Sequence, residues 1–159
     1  MTALAEQVIA ALRTTGSTLS CAESLTGGLV CAALVDVPGA SDVLVGGVVA
    51  YAAHAKASVL DVPDDVLAEH GTVHPVTVEH MADGVARLLG STHALATTGV
   101  AGPGPSDGHA AGTVFVAVRY PGAGSSSDIS VRGLHLTGDR SAVRAGAVQA
   151  VLALLLEVL

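Results

Sequence analysis

Thr18-Leu19-Ser20-Cys21-Ala22, running on into Glu23-Ser24-Leu25-Thr26-Gly27-Gly28, reads as a short strand that turns sharply into a helix. The helix is expected over residues 27–35, and Pro38-Gly39 ends it. Upstream, Leu4, Val8, Ile9 and Leu12 recur at helical spacing over residues 2–13. Downstream, residues 43–51 are apolar and β-branched, a strand, and residues 52–60 form a helix carrying Lys56. A short helix over 63–70 starts at a proline. A longer one over 76–89 places Met81, Val85 and Leu88 at core spacing. Strands follow at 93–98 and 113–119. A turn over 121–127 leads to a half-exposed strand at 130–136, and a last helix covers 140–158. Helices between the early strands favour parallel pairing, and the short turn between the last two favours a hairpin. The expected fold is α/β, a three-layer α/β/α sandwich with a mixed sheet, in one domain over residues 1–159.

Composition narrows the function. Half of the 159 residues are hydrophobic but only 2% are aromatic, so the core must be built from Ala, Val and Leu. Nineteen glycines without a period exclude a helical bundle and a collagen-like chain. The formal charge of -7 and the lack of a basic run argue against nucleic acid as a partner. A small anionic ligand needs only one or two Arg at a helix end. Cys21 and Cys31 are the only cysteines and suit buried, reduced thiols of a cytoplasmic protein. The first residues lack the pattern of a signal peptide. The apolar tail over 145–159, interrupted by Gln149 and Glu157, is short of the roughly 20 residues that span a bilayer. No membrane partner is expected, and the tail is expected to pack as a terminal helix or against a second copy in a homodimer.

Four segments could carry chemistry. Ser24 falls where a strand gives way to a helix, and unpaired N–H groups there would suit a phosphate or an oxyanion. The same residues also suit an ordinary helix cap. Tyr51 ends a strand and Lys56 lies on the next helix, near the sheet edge where α/β proteins bind ligands. Lys56 is the only lysine, beside six arginines. Desolvated by neighbours such as Val48 and Val49, it could lose its proton and accept one from a serine; exposed, it would be a solvated surface charge. Thr97-Thr98-Gly99-Val100-Ala101-Gly102-Pro103 is a strand followed by a loop whose bare backbone can approach a ligand, without the Walker pattern. In Thr137-Gly138-Asp139-Arg140, Asp139 can cap the last helix. Arg140 and Arg144 share one stripe, suited to a phosphate or to plain surface charge. The seven histidines form no metal spacing, and no metal site is expected.

Together these segments resemble the CinA C-terminal family, the nicotinamide-nucleotide amidases. Its ordered motifs are matched here by Ala22 to Gly28, Pro38 to Ser41, Gly46 to Lys56, Gly71 to Val73, Thr98 to Pro103, Gly112 to Val114 and Gly138 to Arg144. The resemblance implies hydrolysis of the carboxamide of nicotinamide mononucleotide, without cofactor or metal, giving nicotinic acid mononucleotide and ammonia. It implies Ser24 as nucleophile, Lys56 as general base and Tyr51 as an aligning or relaying group. Thr26, Gly27, Thr98, Gly99 and Gly102 would line the substrate, and Arg140 would hold its phosphate or ribose end. Full-length relatives carry a second domain, so this chain resembles the single-domain form. His74 stands where the family usually has Ser, and His109-Ala110-Ala111 where relatives often have Lys-Pro-Val. If that lysine binds substrate, affinity falls or preference shifts. The competing readings are an amidase for another small amide and an inactive, competence-linked nucleotide- or partner-binding module.

Overall fold

A computed structural model describes residues 2–124 and 126–159. Five strands form one sheet in the order β2-β1-β3-β4-β5. They are β1 (Leu19–Glu23), β2 (Leu44–Val49), β3 (His93–Gly99), β4 (Thr113–Pro121) and β5 (Ser127–His135). β1 pairs in parallel with β2 and β3, whereas β4 runs antiparallel to both β3 and β5. The mixed sheet expected from the sequence is thus formed. The helices are α1 (Thr2–Thr15), α2 (Leu29–Val35), α3 (Ala53–Leu60), α4 (Asp64–His70), α5 (Pro75–Leu89) and α6 (Arg140–Val158). The expected 121–127 turn includes Ser125, which lies outside the described residues; β4 and β5 extend into the rest of it, to Pro121 and Ser127.

The two sheet faces carry different cores because successive strand side chains point to opposite sides. On one face Leu19, Cys21, Leu95, Val114, Val116 and Val118 pack with α1, α2 and α6. On the other, the sheet offers mainly Ala22, Ala94, Ala96 and Ala117, packed with α5 and the end of α3. Small side chains on that face let α5 lie close. In α5 itself Val78, Met81, Ala82, Val85 and Ala86 are buried, whereas Leu88, expected at the core, is 51% exposed. α6 is long and apolar enough to cross a membrane by length and composition. Its Val143, Ala147, Val148, Val151, Leu152 and Leu155 are nevertheless buried in this chain's own core. Those buried residues are therefore not free to contact a second copy.

The start of α2 also differs from expectation. Gly27 and Gly28 adopt left-handed φ values of 58° and 97°, so the helix begins at Leu29 rather than Gly27.

Gly84 marks the tightest approach between α5 and α3. A Cβ there would stand 1.9 Å from the Leu60 carbonyl oxygen, a backbone atom that cannot rotate away. Helix propensity alone would favour alanine by about 1 kcal/mol. We expect the clash to win, so that Gly84→Ala destabilises the protein by roughly 1–3 kcal/mol in urea denaturation. An unchanged or raised midpoint would contradict this packing.

Candidate active site

Lys56 has no exposed surface, although it lies on a helix at the edge of the fold. Its Nζ meets Ser24 Oγ at 3.0 Å, the Ala50 carbonyl at 2.8 Å and the Tyr51 carbonyl at 3.4 Å. An ammonium would donate to all three. A neutral amine has two N–H bonds for the two carbonyls, which leaves its lone pair for the Ser24 hydroxyl. The same cage therefore satisfies both protonation states, and the neutral one is arranged to receive a proton from serine. Burial lowers the Lys56 pKa from 10.5 to about 8, while the Asp107 carboxylate acts in the opposite direction. Val48 packs into the neighbouring Ala22–Ala50–Leu60 cluster, but Val49, also expected to cover the lysine, is exposed.

Ser24 follows directly on β1 and is 7% exposed. Its N–H donates to the Thr97 carbonyl on β3, and its own carbonyl accepts from Gly27 N–H. Two side chains fix the turn around it. The buried Glu23 carboxylate accepts from the N–H groups of Gly28, Val30 and Cys31, capping α2 from inside. Arg144 donates to the carbonyls of Leu25 and Thr26 at 2.9 and 2.8 Å. These contacts correct two expectations. N–H groups at the start of α2 that were expected to be free for a ligand are taken by Glu23, and Arg144 grips the main chain rather than a phosphate. A candidate oxyanion donor lies instead on β3, where Gly99 lines the cavity. Val100 N–H runs to Thr113 on the β4 side, and N–H directions alternate along a strand, so Gly99 N–H faces the side of β1 and Ser24.

A cavity of about 500 Å³ opens above Ser24, with Tyr51, Thr72, Gly99, Gly102, Asp107 and Arg140 among the residues around it. Arg140 donates to the Gly102 carbonyl at 2.8 Å and to the Tyr51 hydroxyl at 2.9 Å. The Tyr51 phenol thus points to the rim, 61% exposed, and it is the Tyr51 carbonyl that meets Lys56. Thr98 and Thr26 do not line the cavity. The Thr98 hydroxyl donates to the Thr72 carbonyl at 2.6 Å, and the Thr26 hydroxyl pairs with that of Thr97 at 2.8 Å. Gly27 lies outside the cavity beside Arg144. Asp139 caps α6 through the Ala142 N–H, as its position predicts. His74 caps α5, its Nδ1 accepting from Val76 N–H, so it performs the cap that a serine there could also supply. Burial lowers its pKa, aided by His70 and His109. His109 lies edge-on to Phe115, away from the cavity wall. Among the described residues no three His, Cys, Asp or Glu side chains gather in a metal-binding group. Both cysteines are free; Cys21 is buried and Cys31 partly so.

Sequence reasoning missed Glu23, Thr72 and Asp107. A signal existed for Glu23, since a carboxylate just before a Gly-Gly helix start suits the positive end of the helix dipole.

Because Lys56 is the only lysine, its titration can be followed without assignment. In protein labelled with ¹³C-lysine, the Cε resonance should titrate near pH 8 rather than near 10.5. Between those values the unfolded chain holds the extra proton, so stability should rise with pH across the same window. A midpoint at or above about 10 would contradict the burial of a neutral lysine.

The amino-acid sequence matches the CinA C-terminal domain family over residues 1–159. It is 47% identical over 137 residues to a Desulforamulus reducens protein named as competence-damage inducible, covering 86% of this chain and 32% of that protein. It is 43% identical over 145 residues to a CinA-like protein of Myxococcus xanthus, covering 89% of this chain and 33% of that one. The chain spans about a third of the length of these curated relatives. A solved structure of a competence-damaged protein (CinA) superfamily member from Klebsiella pneumoniae shares the fold with a TM-score of 0.91 at 38% identity. That likeness covers 98% of this chain and 95% of the other. By its sequence and its three-layer architecture alike, this chain belongs to the CinA C-terminal domain family.

Proposed function

We propose that this chain is an amidohydrolase that converts nicotinamide mononucleotide to nicotinic acid mononucleotide and ammonia through Ser24 and Lys56. The observation that carries the reading is a buried lysine, its pKa lowered to about 8, held 3.0 Å from a serine at the floor of an open cavity. A depressed lysine beside a hydroxyl is the arrangement that activates a serine without a histidine. The cavity volume falls within the ~300–1,000 Å³ typical of small-ligand sites.

Lys56 Nζ takes the Ser24 proton as Oγ bonds to the carboxamide carbon, and the carbonyl electron pair moves to oxygen. Gly99 N–H meets that oxyanion. As the tetrahedral intermediate collapses, the Lys56 ammonium returns the proton to the departing nitrogen, which leaves as ammonia. A water molecule, giving its proton to Lys56, then attacks the ester carbon. As the Ser24–acyl bond breaks, the Lys56 ammonium returns that proton to Ser24 Oγ, and the acid released ionises to the carboxylate. Arg140 stands at the rim for the phosphate or ribose end, with Tyr51 and the Gly102 carbonyl fixing its guanidinium. Thr98 acts through the Thr72 carbonyl, and Arg144 through the turn that follows the nucleophile.

Ammonia release from a panel of amides tests the reading. Nicotinamide mononucleotide should be turned over, and a folded Ser24→Ala variant should lose at least about a thousandfold in kcat, the scale of losing a nucleophile. Near-normal turnover in Ser24→Ala would end the covalent mechanism. Preference for an unrelated amide would redirect the substrate, and silence across the panel would favour a binding module.

A further inference from the structure

The cavity wall is polarised. Among the described residues, Asp107 is the only carboxylate on it and Arg140 the only guanidinium. Asp107 sits in a left-handed conformation, φ 49°, within the turn closed by Ser106 and His109, whose backbones exchange hydrogen bonds of 3.0 and 2.9 Å. Its Oδ2 accepts from the Thr72 hydroxyl. The Thr72 carbonyl is in turn held by Thr98 on β3, so the acid is tied across the mouth of the cavity to the strand beside the nucleophile. It lies near enough to Lys56 for its charge to oppose the effect of burial on that lysine. A carboxylate so close to a general base favours the base's inactive, protonated form. Its presence therefore makes sense where the substrate itself brings a positive charge to that end of the site.

We infer that Asp107 is a specificity-determining residue that selects an amide borne on a cationic ring, by placing its carboxylate against the positive charge while Arg140 takes the anionic end. The inference rests on the amidase reading above and deepens it. A pyridinium whose carboxamide carbon stands at Ser24 Oγ brings its ring charge between Asp107 and Lys56. There it neutralises the acid's field and, as a like charge, favours the neutral amine. Binding the correct substrate would thus help to ready the base. A neutral ring would leave Asp107 uncompensated and Lys56 more often protonated.

The test compares nicotinamide mononucleotide with its neutral isostere, in which a benzamide ring joined through carbon replaces the pyridinium. Dissociation constants are measured by calorimetry in the Ser24→Ala background, so that turnover does not intrude. Asp107→Asn keeps an acceptor for Thr72 and removes only the charge. It should weaken the cationic ligand roughly fivefold to tenfold, the scale of one partly screened ion pair, and leave the neutral isostere within about twofold. Asp107→Glu should restore most of the preference. Equal weakening of both ligands, or no weakening of either, would overturn the inference while leaving the amidase reading intact. Absence of ammonia release from nicotinamide mononucleotide by the unmodified protein, with no binding to Ser24→Ala, would overturn both.

Discussion

An amine buried without a carboxylate in direct contact must either find acceptors for its protons or give one up, and the fold does both for Lys56. Ala50 and Tyr51, at the end of β2, turn their carbonyls to it, and Ser24, at the end of β1, supplies the third contact. These strand ends lie side by side because β1 and β2 are parallel neighbours, joined by a connection that carries α2. The result is that two residues 32 positions apart in sequence stand at hydrogen-bonding distance. A lysine in water at neutral pH would be almost wholly protonated. The burial that lowers its pKa to about 8 makes a useful fraction neutral.

The surroundings divide this work. Glu23 and Arg144 fix the turn after Ser24 through opposite kinds of group. The acid holds the N–H groups at the start of α2, and the guanidinium holds the carbonyls of Leu25 and Thr26. With donors and acceptors both satisfied, the turn has no need of a ligand to order it. The alanine-lined face of the sheet lets α5 press against the end of α3, the helix that carries Lys56. The close contact at Gly84 thus sets α5 against the C-terminal end of α3. On the opposite face the larger valine and leucine core, closed by α1 and α6, gives the sheet its bulk.

The architecture was legible because hydrophobic spacing follows local geometry: alternation over residues 130–136, helical spacing over residues 2–13 and 76–89. Where an element edge depended on backbone conformation, the reading slipped. Gly27 and Gly28 look like a flexible helix start and are in fact the left-handed turn before it. Leu88 fits the helical stripe, yet α5 rotates it toward solvent. The Ser24–Lys56 pairing could be reached through the resemblance of ordered motifs, but no spacing rule joins residues on different crossovers. Side-chain direction was the least legible property. Tyr51 and Thr98 were expected near the reacting atoms, whereas the phenol turns to Arg140 and the hydroxyl to Thr72. Asp107 lies in an irregular loop, where no periodicity reports which way a side chain faces.

The central claim is that Lys56 works by losing its proton, and replacing it by a residue that keeps its charge tests this most directly. Arginine stays protonated at any pH the protein survives, so it can supply a fixed charge but not a base. The measurement is kcat for Lys56→Arg and Lys56→Met on nicotinamide mononucleotide, with folding checked by circular dichroism. The account predicts that both variants lose activity to a similar depth, with Arg gaining no more than a few-fold over Met. Recovery of a substantial part of the wild-type rate by Lys56→Arg would contradict it and make Lys56 an electrostatic group rather than the base.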